Sequence, residues 1–339
     1  MLTDGFPRVD LCHVPTPLEP MKRLSAELGG ADIWVKRDDC TGLAMGGNKA
    51  RQLEFYMGDA VARGSDMVLT SGATQSNHVR MTVAAARKLG LDCEVQLEER
   101  VAGRPPEYYR SGNPFLIGLL GARVLRFQGD DEDAANDALY QRAEELRAQG
   151  RKPHVIPISA DHQPLGALGY VLAAEELLKQ TEARGLSIDA VVLPSGSGTT
   201  HAGMLAGLRA LGCKATVHGF CVRRDAAQQT PRVFHKACQV ADMIGAPGAV
   251  TEADAWLDDS VLGPGYGQLT EGSVGADDLV ARLEGILLEP VYTGRAMEGL
   301  IDLVRGGRMA KGKTVVFLHT GGAPALFGYP ELTAEAATA

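Results

Sequence analysis

The feature that most narrows the possible folds of this chain is a repeated alternation along its length. Short runs rich in branched apolar residues, at 33–36, 67–70, 93–97, 123–126, 154–157, 190–193, 217–222 and 314–319, are predicted strands. They interleave with longer segments of helical spacing at 49–63, 77–89, 131–149, 165–184, 199–211, 226–244 and 295–305. Strands alternating with helices specify an α/β fold around a mostly parallel sheet. Several runs, such as Val191-Val192-Leu193, are apolar without interruption, as expected where helices cover both sheet faces. Leu168, Leu172, Ala173, Leu177 and Leu178 recur at helical intervals and mark a buried helix face.

The junctions where a strand gives way to a helix carry the chemistry. Gly46-Gly47-Asn48-Lys49 follows one early strand and opens a helix. The positive end of a helix repels a cation, so an amine there has a lowered pKa and favours its neutral, nucleophilic form. Taken alone, a lysine is ordinarily a solvated surface residue, and the neighbouring motifs must show that Lys49 is not. Ser71-Gly72-Ala73-Thr74-Gln75-Ser76-Asn77-His78 follows the second strand and exposes backbone N–H groups suited to a carboxylate or phosphate. An ordinary cap explains one such residue, but not Thr74 through His78 together. Pro194-Ser195-Gly196-Ser197-Gly198-Thr199-Thr200 has the make-up of a phosphate cup. It lacks the lysine of a nucleotide-triphosphate loop and the dinucleotide fingerprint, which leaves a small phosphorylated cofactor. The segments at 288–297 and 319–326 each read singly as a turn into a helix.

Composition closes off other classes. A length of 339 residues accommodates two core-bearing units. The net charge of −8, with no block of basic residues, argues against nucleic acid and anionic membrane partners. No apolar run approaches membrane-spanning length, and the N-terminus has no signal-like apolar core. The six cysteines form no C-x-x-C pair and the eight histidines no ligand set. No metal is expected, and a reducing cytoplasm is.

In chain order, GGNKARQLE, SGATQSNHVR, SGSGTTHAG, GPGYG, LEPVYTGRAM and HTGGAPAL resemble the fold-type II pyridoxal-phosphate enzymes. More narrowly, they resemble the group containing 1-aminocyclopropane-1-carboxylate (ACC) deaminase, D-cysteine desulfhydrase and L-cysteate sulfo-lyase. The resemblance runs from about Phe6 to Tyr329. It implies pyridoxal 5'-phosphate as cofactor and a tryptophan synthase β-like fold of two parallel-rich α/β domains with the active site between them. The larger domain would comprise 1–50 plus 160–339, and the smaller 51–159. Lys49 would be the Schiff-base lysine, Asn77 would bond the cofactor's 3′-oxygen, and Tyr292 would lie against the ring. Ser197, Gly198, Thr199 and Thr200 would hold the phosphate, while Ser76, Asn77 and His78 would receive the substrate carboxylate. Tyr266 takes the place of an active-site tyrosine. A homodimer is implied as well. One departure concerns the phosphate: relatives usually carry a second lysine where this chain has Gln52, and a neutral amide cannot replace that charge.

The cofactor stabilises a carbanion and the protein selects which bond breaks. The resemblance places Thr293 against the pyridine nitrogen, where the deaminase has glutamate, and Thr320 where the deaminase has leucine. A neutral hydroxyl leaves the nitrogen unprotonated, which favours rapid loss of a β-substituent over ring opening. The expectation is therefore β-elimination from a three-carbon sulfur amino acid, giving pyruvate and ammonia. L-cysteate with sulfite release comes first, from the run FPRVDLCHVPTPLEP and from Arg100, whose guanidinium suits a sulfonate. Alternatively, Arg100 is a surface residue paired with Glu98 or Glu99. D-cysteine desulfhydration is the alternative reaction; ACC deamination and a non-catalytic cofactor binder follow it.

Overall fold

The computed structural model describes residues 2–129, 131–156 and 162–332. Among them, ten strands form two sheets: β1 (Leu18–Pro20), β2 (Asp32–Arg37), β3 (Met67–Ala73), β4 (Asp92–Glu99), β5 (Arg123–Gln128), β6 (Pro153–Ile156), β7 (Ala190–Ser195), β8 (Thr216–Cys221), β9 (Trp256–Asp258) and β10 (Thr314–His319). The first sheet has the order β1-β2-β10-β7-β8-β9 and draws on both ends of the chain; the second is β5-β4-β3-β6. Each of these pairings is parallel except that of the edge strand β1 with β2.

Period-two alternation sorts the first sheet onto two cores. Val191, Leu193, Val217, Val316 and Leu318 pack with the helices Leu168–Glu182, Thr199–Ala210 and Ala226–Met243. Ala190, Val192, Phe220, Val315 and Phe317 face the opposite way, toward Lys22–Leu28, Glu271–Glu284 and Thr293–Arg305. Each large apolar side chain fully buried here contributes about 1.5–3 kcal/mol of transfer free energy. The second sheet carries Lys49–Ala62 and Asn77–Lys88 on one face, through Leu53, Met57, Val79 and Val83. Glu132–Ala148 covers the other through Leu139, Ala143 and Leu146. We propose that these sheets are the cores of the two domains; the boundary expected near 159–160 lies outside the described residues, as does Pro157 of the sixth predicted strand.

Among the described residues, three helices of seven residues or more escape the periodic reading: Lys22–Leu28, Asn113–Leu119 and Glu271–Glu284. The last begins inside the Gly- and Pro-rich stretch 262–275. Thr270 and Ser273 form a capping box at its start, and Gly285 closes it in the left-handed conformation. The helix expected from 295 starts two residues earlier, at Thr293, which puts Tyr292 at its N-cap.

Candidate active site

Parallel sheets present their ligand sites at the carboxyl ends of the strands, and both sheets of this chain point those ends at one cavity. Ser76, Asn77 and His78 follow β3, and Arg100 follows β4. Gly196 through Thr200 follow β7, Arg223 and Arg224 follow β8, and Thr320 and Gly321 follow β10. Lys49 completes the wall at the seam. Its helix packs on the second sheet, while the Asn48 amide donates to the Thr320 carbonyl at the end of the first, at 2.9 Å. The glycine pair before it is a steric requirement. A Cβ on Gly46 would stand 1.8 Å from the Asp39 carbonyl oxygen, and Gly46 and Gly47 have φ of 68° and 129°. Behind Lys49, the buried Arg51 binds Asp38 and Glu176, both at 2.9 Å, and ties the first helical turn to the first sheet.

The electrostatics follow from enclosure. Burial lowers the Lys49 amine to about 8. Its Nζ donates to Gln52 Oε1 at 3.3 Å. Gln52 Nε2 in turn donates to Thr200 Oγ1 at 2.8 Å, and Asn48 Nδ2 donates to the same oxygen at 2.9 Å. With two donors already on that oxygen, the Thr200 hydroxyl hydrogen is left to point at an acceptor in the cup. Thr199 and Thr200 are the first residues of their helix, whose leading N–H groups lack intrahelical acceptors. Gly198 caps it with φ of 81°.

Across the cavity, Asn77 Oδ1 accepts from Arg80 Nη1 and Asn113 Nδ2, each at 3.0 Å. This leaves the Asn77 NH₂ as a donor toward the site. Arg80 is fully buried, also donates to the Gly46 carbonyl at 2.9 Å, and so links the Asn77 helix to the turn before Lys49. Thr70 donates its hydroxyl to the Ile156 carbonyl at 3.0 Å, so His78 Nε2, 2.9 Å away, must donate to Thr70. Burial and the nearby Lys49 hold the imidazole near 3, so it is neutral at pH 7. The Tyr266 and Tyr292 hydroxyls share a 2.6 Å hydrogen bond with rings edge to face, and burial raises both phenols.

Of the polar run after β3, Ser76, Asn77 and His78 reach the cavity, whereas Gln75 does not. It bonds the Tyr108 and Ser111 carbonyls and the Asn113 amide and so fastens a neighbouring loop. Thr293 requires a correction. It does not line the cavity, and its hydroxyl accepts from the Glu289 amide at 2.8 Å. As the first residue of its helix it folds back, and its hydroxyl is engaged by the preceding turn. Glu289, which periodicity did not single out, is fully buried and accepts from the amides of Val291, Tyr292 and Thr293 at 2.8–3.1 Å. Thr320 remains on the wall. Arg100 pairs with Glu98 at 2.6 Å, but away from the surface: its side chain is largely buried and lines the cavity. Sequence reading missed Arg223, Arg224 and Arg232, which surround Glu132 at the cavity edge. Residues so far apart carry no spacing signal; the Arg-Arg pair directly after β8 was the one visible hint.

Comparison with known proteins agrees with this geometry. Residues 9–321 match the family described as "Pyridoxal-phosphate dependent enzyme". The chain is 45% identical over 324 residues to the D-cysteine desulfhydrase of Klebsiella pneumoniae subsp. pneumoniae, covering 96% of each. It is 43% identical over 324 residues to the D-cysteine desulfhydrase of Yersinia enterocolitica, again covering 96% of each. A crystal structure described as an ACC deaminase homologue superposes with a TM-score of 0.89 at 36% identity, covering 98% of this chain and 97% of that one. A threonine deaminase from T.th. shares the fold alone, at 20% identity and a TM-score of 0.65 over 91% of this chain and 92% of its own. With the family match spanning both sheets and every strand end that meets the cavity, the chain belongs to the pyridoxal-phosphate dependent enzymes, in their fold-type II architecture.

Proposed function

We propose that this enzyme removes the sulfur substituent from the β-carbon of a three-carbon amino acid, leaving pyruvate and ammonia. Pyridoxal phosphate fits the cavity by the chemistry of its donors. The Thr200 hydroxyl and the leading amides of its helix suit the phosphate, the Asn77 NH₂ suits the ring hydroxyl, and Lys49 would hold the aldehyde carbon. When bound, the cofactor supplies an electron sink for negative charge at the substrate α-carbon. The helix N-terminus at Ser76, Asn77 and His78 receives the substrate carboxylate. Lys49, part neutral near pH 8, takes the α-proton as general base. The Cβ–S bond then breaks with its electron pair going to sulfur, and water hydrolyses the released three-carbon enamine to pyruvate and ammonia. The Tyr266–Tyr292 pair, joined by one short hydrogen bond, offers a proton to the departing group.

The observation that carries this reading is the meeting of an amine poised near neutrality and a paired phenol in one cavity. The relatives' name supports D-cysteine with sulfide release over the L-cysteate expected from the N-terminal run. One observation favours L-cysteate as a second reading. Arg100, Arg223, Arg224 and Arg232 line the cavity, with Glu98 and Glu132 among their partners, so guanidinium groups converge on that wall. A sulfonate would satisfy that charge and a thiol would not.

Purified holoenzyme is to be given D-cysteine, L-cysteine, L-cysteate and ACC, with sulfide, sulfite, pyruvate and 2-oxobutyrate measured separately. 2-Oxobutyrate without pyruvate would overturn the elimination reading. If cysteate is the substrate, Arg100→Ala should lower its kcat/KM by about 10–100-fold, the worth of one charged hydrogen bond, and leave D-cysteine turnover much less affected. Equal loss on both would remove Arg100 from substrate recognition.

We further propose a cytoplasmic homodimer. The six cysteines are free, and among the described residues no helix is long and apolar enough to cross a membrane. Phe115, Leu119 and Phe327 are 59%, 72% and 67% exposed on adjoining elements, a patch suited to a second copy. Sedimentation velocity tests this, and a monomer at micromolar concentration would refute it.

A further inference from the structure

Among the described residues, the phosphate cup lacks a cation in its own wall. Gln52, Asn48, Ser197, Thr199 and Thr200 are neutral, and Lys49 is committed to the reacting carbon. A phosphate dianion enclosed without a countercharge would be costly. Further cationic side chains close to this end of the cavity come from the helix Ala226–Met243, which packs against the helix that opens with Thr199. Arg232 lies against Glu132 at 3.2 Å. Lys236 does not share that pairing. It is 3% exposed, and its Nζ donates to the Ser197 carbonyl at 3.1 Å. A Cβ built on Gly198 would stand 3.9 Å from Lys236 Cδ, so the lysine stem runs directly behind the cup.

We infer that Lys236 is the cofactor-positioning cation of this enzyme: it supplies, from behind the Ser197–Thr200 loop, the countercharge for the phosphate that Gln52 cannot provide. Two physical consequences follow from its placement. By binding the Ser197 carbonyl, the ammonium turns that oxygen toward the Ala226–Met243 helix and away from the incoming anion. Its charge also lies in a low-dielectric setting, where it is felt strongly at the cup. The groups that act on Lys236 are Arg232, Lys49 and Arg224, which disfavour its charge, and Glu132, which favours it. Burial is the largest influence and brings the amine to about 7. A buried ammonium so readily deprotonated is poorly compensated without an anion in the cup, and a phosphate there would restore its proton. Cofactor affinity should therefore fall as pH rises above neutrality, because the free protein then holds more neutral Lys236. This inference rests on the cofactor assignment above, and the paired probe below separates failure of one from failure of the other.

The test compares holoenzyme of the parent protein, Lys236→Met and Lys236→Arg. Retained cofactor is measured after equilibrium dialysis between pH 6.5 and 9. Pyridoxal, which lacks the phosphate, is the paired probe. Taking the ratio of the two affinities cancels effects on Lys49, because both compounds carry the aldehyde. Lys236→Met should weaken pyridoxal phosphate at least tenfold at pH 6.5 and leave pyridoxal within twofold. Lys236→Arg should retain the phosphate preference and lose its decline with pH, since a guanidinium does not titrate in this range. An unchanged phosphate preference in Lys236→Met overturns the inference, and so does equal weakening of both probes, which would mark a purely structural lysine. If Lys236→Met does not accumulate as folded protein, the pH profile of the phosphate preference in the parent against Lys236→Arg decides alone. Parallel profiles would then overturn the inference.

Discussion

Replacing Gln52 by glutamate is a near-isosteric change that places a negative charge where Gln52 Oε1 now accepts from Lys49 Nζ at 3.3 Å. Two unit charges at that distance attract by about 5 kcal/mol at an effective dielectric of about 20, equivalent to roughly 3.7 pKa units. Enclosure also penalises ionisation of the new carboxylate, which offsets part of this attraction, and a rise of about 2 units is the conservative expectation. Lys49 would move from about 8 to about 10 or above. At pH 8 its neutral fraction would fall from about half to about one per cent. The assay is the pH dependence of reductive methylation of Lys49 in cofactor-free protein, read by peptide mass spectrometry. The parent protein should show a midpoint near 8, and the variant should react at Lys49 only at higher pH. A midpoint in Gln52→Glu within half a unit of the parent would refute the contact as drawn. A parent midpoint at the free-lysine value of about 10.4 would refute the stronger statement that enclosure holds this amine near neutrality.

Glu289 gives a stability prediction whose sign is opposite to that of an ordinary paired carboxylate. Burial outweighs its three amide bonds and raises it from 4.5 to about 7. Its contribution is therefore full below the unfolded carboxylate range and is lost as pH rises through 7. Relative to Glu289→Gln, the parent should lose on the order of 3 kcal/mol of unfolding free energy between pH 4.5 and 7.5. Denaturant titrations at fixed pH values check this, and a pH-independent difference between the two proteins would refute it. Tyr266→Phe removes the 2.6 Å bond to Tyr292 and should lower kcat by about 100-fold with KM little changed if the pair delivers a proton. A change confined to KM would make the pair a positioning contact instead.

The longer parallel strands were legible because most are short apolar runs ended by a polar or glycine-rich turn, whereas the three-residue β9 at the sheet edge carries too short a pattern to be read. The helix Glu271–Glu284 was not, because the glycine-rich turn before it masks its capping box. Lys49, Asn77 and the Ser197–Thr200 cup were legible for a related reason. Each sits where a strand hands over to a helix, and the unpaired amides of such junctions need particular neighbours within a few residues. Asn113 and Glu289 orient Asn77 and Tyr292 from a distance in sequence or from inside a turn, and short-range pattern does not expose them.

Thr293 shows why neighbouring sequence misleads about which side chain meets a ligand. Tyr292 and Thr293 are adjacent, yet at a helix start successive side chains diverge by about 100°. Tyr292 enters the cavity and Thr293 turns back to the Glu289 amide. The choice of reaction therefore cannot rest on the Thr293 hydroxyl. Thr320 stays on the wall, and we propose it as the neutral hydroxyl that favours elimination. We propose that choice of leaving group passes to a constellation assembled from the ends of β4 and β8, the Ala226–Met243 helix and the start of Glu132–Ala148. Glu132 already binds three arginines at the seam between the two sheets. An anionic β-substituent would compete with it for the same guanidinium groups, whereas a thiol would leave it in place, so one carboxylate links substrate charge to how the two halves of the cavity are held together.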